Sequence, residues 1–258
     1  MASQVHRLRR ELRAALAARR RLVGTFVKLA TVDVVETCAQ AGFDFVVVDL
    51  EHSTLSEQDA IALVRHADAC GLAALVRVPT VDPPVINRLL ENGAAGIQLS
   101  MLRTRAQADA LRDAVRYPPA GRRSVSLANR VASAGADGLA GYLGRDAAEP
   151  AVLIGQIETT DTGPLEQILA GLDVCFVGTT DLAVDLGVAV GDLRLRAGVE
   201  LVRLAAEAAG VAFGGWAASI PAAGALGLDE PGYLVVGSDL QFLADGLRAA
   251  APTREVRP

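Results

Sequence analysis

Eight short runs of branched and aliphatic residues recur along the chain, separated by stretches with helical spacing. The interval is roughly 30 residues, the length of a βαβ repeat. The runs fall at 22–29, 44–49, 73–79, 95–99, 151–158, 174–178, 211–214 and 233–237. The second has Phe45-Val46-Val47-Val48 at its centre with no polar alternation, the pattern of a strand covered on both faces. Helix punctuation fills the gaps. Gly42 and Gly71 stand where helices over 32–41 and 56–70 end, Ser56-x-x-Asp59 has the form of a capping box, and Asp82-Pro83 opens a helix over 82–92. Further helices are expected at 3–20, 104–115, 138–146, 163–171, 180–186, 192–209, 220–227 and 238–250. The composition shows no break, and 258 residues is close to the length of about 250 typical of a (β/α)8 TIM barrel. The chain therefore reads as one α/β barrel domain over 1–258, with an added N-terminal helix in 1–21 and the barrel in 22–250. A doubly wound open sheet is the alternative, but no Gly-x-Gly-x-x-Gly follows any of the strands.

Charge narrows the function classes. A net charge of −5 argues against a nucleic-acid surface, which needs a basic face. Basic residues concentrate only in the first helix, at Arg7, Arg9, Arg10, Arg13, Arg19, Arg20 and Arg21. Their Ala/Leu/Arg spacing without aromatic residues reads as an amphipathic packing helix rather than a membrane or targeting segment. No apolar run reaches the ~18 residues of a membrane span. Cys38, Cys70 and Cys175 are scattered in apolar elements, odd in number, and read as buried free thiols of a reducing, cytoplasmic compartment. The stretch 117–137 interrupts the alternation with Pro118, Pro119 and a Ser/Ala/Gly-rich tail. Loops that long are usually functional or mobile, and 124–141 is a candidate lid.

In a parallel barrel the C-terminal strand ends share one mouth, where active sites lie. The second strand delivers Asp49, Glu51 and His52 there, the third Arg77, the fifth Gln156 and Glu158, and the sixth leads into Gly178, Thr179, Thr180 and Asp181. Glu158 and Asp181 are two carboxylates from adjacent strand ends, a donor set suited to Mg2+ or Mn2+, which take oxygen ligands and keep waters. The alternatives are a buried ion pair of Glu158 with Arg77 and a helix N-cap at Asp181. Arg77 closes an apolar strand, where a charge needs a partner, and would suit an anionic substrate group or a developing enolate. His52 is the histidine placed for proton transfer, with Asp49 able to orient its ring; the alternative is a structural histidine.

These residues resemble the HpcH/HpaI aldolase family of class II pyruvate aldolases. The resemblance runs from about Gly24 to Leu243. It is carried by Ala41-Gly42-Phe43-Asp44 leading to Asp49-x-Glu51-His52, by Val76-Arg77-Val78-Pro79, and by Arg116-Tyr117-Pro118-Pro119-x-Gly121-x-Arg123. Gln156-Ile157-Glu158-Thr159 and Phe176-Val177-Gly178-x-x-Asp181-Leu182 complete it in the same order. It implies a barrel that exchanges its last helix between subunits, commonly in a hexamer built of dimers. It also implies a divalent metal (Mg2+, Mn2+ or Co2+) on Glu158 and Asp181, chelated by pyruvate or another 2-oxo acid. His52 with Asp49 would be the acid–base group, Arg77 would steady the enolate, and Gln156 would be a pocket glutamine. Thr179 and Thr180 stand where the family often has Pro-x. Glu91 stands where a neighbouring subunit's Asp enters the site, and Trp216 would reshape the aldehyde side.

The expected reaction joins pyruvate and an aldehyde into a 4-hydroxy-2-oxo acid, or cleaves it, through a metal-bound enolate. Lys28, the only lysine in the chain, is the rival nucleophile of a Schiff-base mechanism. Competing readings are a lyase on a CoA thioester, a decarboxylase or carbon–carbon-forming enzyme using the same enolate chemistry, and a non-catalytic binding barrel.

Overall fold

The structure is a computed structural model that describes residues 3–252. Eight parallel strands close in chain order into a barrel: β1 (Leu22–Val27), β2 (Phe45–Asp49), β3 (Ala73–Val78), β4 (Gly96–Leu99), β5 (Val152–Ile157), β6 (Val174–Val177), β7 (Ala212–Ala217) and β8 (Tyr233–Ser238). The outer helices are α2 (Val32–Gln40), α3 (Glu57–Cys70), α4 (Pro83–Glu91), α5 (Arg105–Val115), α6 (Gly138–Ala148), α7 (Leu165–Leu169), α8 (Thr179–Asp185), α9 (Leu193–Ala208) and α10 (Asp239–Ala250). The punctuation behaves as its chemistry predicts. Ser56 and Asp59 make both bonds of the capping box that starts α3, and Gly71 ends it in the left-handed conformation. Asp82 accepts from the Val85 N–H ahead of α4, with proline in the first turn.

The barrel has an inner and an outer apolar layer. Between strands and helices pack residues such as Val46, Val48, Val76, Leu89, Leu111 and Val177. Inside and below, Phe45 stacks on Tyr233 with ring centroids 4.4 Å apart. That inner cluster continues into α1 (Val5–Ala17), whose Val5, Leu8, Leu12 and Ala15 close the N-terminal end of the barrel. The basic helix is thus a packing helix. Its Arg9 is fully buried, donating to Asp146 Oδ1 at 3.0 Å and to the Ala94 carbonyl at 2.9 Å.

Four expectations differ from the structure. The segment 220–227 is not an α-helix: its N–H groups bond three residues back, with one 3-10 turn at Gly224–Leu226. Pro221 lacks an N–H, and Gly224 and Gly227 weaken helix propensity. β7 runs on through Gly215, Trp216 and Ala217, because its neighbours supply a ladder for residues that read as a turn. Cys70 is exposed at the end of α3, whereas Cys38 and Cys175 are buried. The long segment after α5 is no lid over the mouth. It follows a helix, so it lies at the opposite end of the barrel, where Tyr117, Val131 and Ala132 join the inner cluster with α1. There Arg130 pairs with Asp68 and the Val131 N–H donates to the Glu91 carbonyl.

Strand closure leaves no room at Gly214, where a Cβ would stand 1.9 Å from the Tyr233 carbonyl oxygen of β8. Backbone cannot rotate away as a flexible side chain can. Gly214→Ala is expected to cost about 3 kcal/mol or more of unfolding free energy, read from urea denaturation.

Candidate active site

Strand register brings the first cluster together. Asp49, the last residue of β2, pairs with Arg77 of β3. The two make a bidentate ion pair, Arg77 Nε to Oδ1 at 2.9 Å and Nη2 to Oδ2 at 2.7 Å. Lys28, just past β1, reaches Asp49 Oδ2 at 2.9 Å and donates to the His52 carbonyl at 3.0 Å. Asp49 is fully buried. Burial alone would raise its carboxyl. The hydrogen bonds and charges of Arg77 and Lys28 together outweigh that and hold it well below the usual carboxylate range.

Asp49 does not touch the His52 ring, contrary to the sequence expectation. Its Oδ1 accepts instead from the backbone N–H groups of Glu51 and His52, at 3.0 and 3.2 Å. It fixes the turn that carries the histidine, and the imidazole stands 60% exposed at the mouth with its Nε2 3.8 Å from Glu51 Oε2. Lys28 is engaged with Asp49 and the His52 backbone, the geometry of a tether rather than of a nucleophile aimed at substrate. Arg77 lies with its guanidinium 4.3 Å from the centre of the Phe26 ring and 3.2 Å, from Nη1, to Glu51 Oε2.

A second cluster lies across the mouth. Glu158 follows β5 and is buried. Its Oε1 accepts from the Met101 N–H at 2.6 Å and its Oε2 from Gln156 Nε2 at 2.5 Å. Among the described residues no lysine or arginine pairs with it, so the ion pair with Arg77 is not formed. Burial pushes its pKa up, opposed by those two hydrogen bonds, and the nearby charges of Glu51 and Asp181 push it further up. Asp181 sits in the first turn of α8, not at the N-cap, which is Gly178. Gly178 is bare by necessity: a Cβ there would stand 2.7 Å from Glu158 Oε2 and 2.8 Å from Glu158 Cβ. Glu51 Oε2 is buried without a hydrogen bond. Glu51 has Arg77 beside it, but Glu158 and Asp181 have no balancing cation among the described residues, and two such carboxylates with open lone pairs form a donor set that fits a hard divalent ion.

The two clusters border a cavity of about 500 Å3 that His52, Arg77, Gln156, Gly178, Thr180, Asp181 and Trp216 line, with Leu240 and Gln241 from the start of α10. Thr179 reaches the cavity too, but its hydroxyl is committed to the Trp216 carbonyl at 3.1 Å. Trp216 is held in the wall by its Nε1–H to the Gly237 carbonyl, 3.2 Å. Glu91 is not in this mouth. It ends α4 at the other end of the barrel, beside Asn87 and the loop residue Val131. Strand-end reading passed over Gln98, buried on β4 and bonded to Gln156 at 2.6 Å, and the Met101 N–H. Gln98 was visible as the one polar residue in 95–99.

His52, Arg77 and Asp181 thus converge at the C-terminal mouth of a closed parallel barrel, the end where such barrels carry their active sites. The chain belongs to the HpcH/HpaI aldolase/citrate lyase family, whose profile matches residues 22–243. A hydroxypyruvate/pyruvate aldolase of Sagittula stellata is 34% identical over 178 residues, 68% of this chain and 69% of that protein. A 5-keto-4-deoxy-D-glucarate aldolase of Shigella boydii is 33% identical over 180 residues, 69% of each. The crystal structure of an HpcH/HpaI aldolase from Desulfitobacterium hafniense superposes with a TM-score of 0.83 at 27% identity, covering 95% of this chain and 98% of that one.

The raised Glu158 carboxyl carries a stability sign. Its folded pKa lies above its unfolded value, so the folded chain holds the proton longer, and its contribution to stability falls as pH rises through that interval. A divalent ion, if held at Glu158, would offset this cost and compete with the proton. Mn2+ at ~100 times its dissociation constant is expected to raise the wild-type melting temperature by about 5 °C at pH 7.5. The gain should shrink as pH falls toward the carboxyl's range and be absent in Glu158→Gln. An equal gain in Glu158→Gln places the ion elsewhere.

Proposed function

We propose that the chain is a class II aldolase that cleaves or forms a 4-hydroxy-2-oxo acid, with pyruvate or a close 2-oxo acid and an aldehyde as the other partners. The observation that carries this reading is the buried Glu158, left without a cation opposite a buried Arg77 whose guanidinium is fixed by Asp49. Glu158 and Asp181 would hold Mg2+, Mn2+ or Co2+. Such an ion supplies Lewis-acid stabilisation of charge developing on a keto oxygen.

The chain's own residues do the rest. Arg77 commits two of its N–H groups to Asp49, and a guanidinium has five, so it retains donors for a keto oxygen as that oxygen gains charge. The fork is aimed before substrate arrives and needs no reorganisation. His52 moves the proton. Its backbone N–H is held by Asp49 and its carbonyl by Lys28, while the exposed ring, with Glu51 beside it, exchanges a proton with the substrate methyl carbon or the aldehyde oxygen. Trp216 and Leu240 form the apolar wall for the aldehyde.

The same reading extends to the assembly. Along α10 only Asp239 is buried, while Leu240, Leu243 and Leu247 are 44%, 51% and 61% exposed. An exchanged last helix in a homo-oligomer, a hexamer built as a trimer of dimers, would cover that face. Glu91 would then serve a neighbouring subunit's mouth, since it lies far from its own. No described helix is long and apolar enough to cross a membrane, in keeping with a cytoplasmic enzyme.

The test is proton exchange at the methyl group of pyruvate in D2O, followed by NMR. Exchange should require Mn2+ or Mg2+, stop with EDTA, and fall about 100-fold or more in His52→Ala. Exchange that persists in EDTA, or none with any of these metals, overturns the reading.

A further inference from the structure

Glu158 is not aimed by its own strand alone. Gln156 projects from the same face of β5, and its amide donates to Glu158 Oε2. The other end of that amide is met by a second one: Gln98 Nε2 of β4 donates to Gln156 Oε1 at 2.6 Å. Both glutamines are buried, Gln98 completely. An ionised carboxylate can only accept, so Gln156 must turn its NH2 toward Glu158 and its carbonyl toward Gln98. Gln98 must then present its own NH2. Turning either amide over sets donor against donor or acceptor against acceptor.

The opposite side of the pair is closed by Gly178. A Cβ there would come within 2.8 Å of Glu158 and 3.4 Å of Gln156 Nε2. The Gln156–Glu158 unit is thus fixed between a bare glycine and a buried amide. Gln98 has no other hydrogen bond to account for its burial: its Oε1 accepts from nothing among the described residues. A fully buried amide that makes only one of its four possible hydrogen bonds costs stability relative to leucine. Packing therefore does not explain a glutamine between Ile97 and Leu99.

We propose that Gln98 is a positioning residue for the ion site. It holds the Gln156 amide in the one orientation that presents a donor to Glu158, and so fixes the carboxylate's aim, without itself touching ion or substrate. This rests on the reading of Glu158 as a metal ligand. Partners one bond behind a ligand, the place of Gln156, typically contribute about 10- to 100-fold in metal affinity, and Gln98 acts one bond further back, at the low end of that range.

Mn2+ binding to the metal-stripped full chain, measured by EPR, tests it. Gln98→Leu should weaken Mn2+ binding about 10-fold while the metal-free melting temperature stays level or rises. Gln156→Met should weaken binding at least as much. The double variant should bind no more weakly than Gln156→Met alone, because Gln98 acts through Gln156. Should Gln98→Leu fail to fold, Gln98→Asn keeps an amide but falls one methylene short, and the same loss is expected. Wild-type affinity in the Gln98 variants, or a fully additive double variant, overturns the proposal while the ion site stands. No Mn2+ binding by the wild type overturns both.

Discussion

One buried carboxylate organises the mouth of this barrel. Asp49 carries no exposed surface, and burying a bare charge that deeply costs several kcal/mol in the absence of partners. It is offset by two cations, Arg77 and Lys28, and by two backbone N–H groups of the turn that follows. Each partner is fixed in return. Arg77 is aimed, the His52 backbone is anchored at both ends, and Lys28 becomes a tether between adjacent strand ends. The interaction also sorts charge across the mouth: both cations are drawn to the β1–β3 side, and Glu158 and Asp181 are left uncompensated on the β5–β6 side.

That separation is a conflict tolerated for function. Burial raises the pKa of Glu158, so its ionised form opposes the stability of the folded chain, and no described cation neutralises it. Instead they hold it still, with a backbone N–H, a buried amide pair and a glycine with no side chain to spare. Rigid support around an unsatisfied charge is the arrangement expected where a ligand completes the balance.

Most of the frame and about half of the site were legible in the sequence, for separable reasons. A strand covered on both faces leaves an unbroken apolar run, so β2 and β3 were plain, and their polar ends pointed to Asp49 and Arg77. Their mutual ion pair follows from register, which sequence order alone allows in a barrel. The role of Asp49 toward the His52 backbone does not follow, because a carboxylate can bond a ring or an N–H with equal chemistry. Gln98 stood out as the one polar residue of its run and lies level with Arg77 in register, but an uncharged amide carries no acid–base or ligand signal of its own, so it was passed over. The supposed lid failed on topology: segments between a helix and the next strand lie at the end of the barrel away from the mouth, so the position of 124–141 after α5 already assigned it there. The helix expected over 220–227 failed on Pro221 and two glycines, whose effect was visible in the sequence but outweighed by its alanines.

The central claim is that Glu158 and Asp181 share one divalent ion facing Arg77. Anomalous diffraction from crystals grown with Mn2+ and oxalate, a stable mimic of the pyruvate enolate, tests it most directly. The account predicts a single strong manganese peak bridged by the Glu158 and Asp181 carboxylates, with oxalate between it and the Arg77 guanidinium. A peak held by other residues, or oxalate bound at Arg77 with no manganese between the two carboxylates, would contradict it.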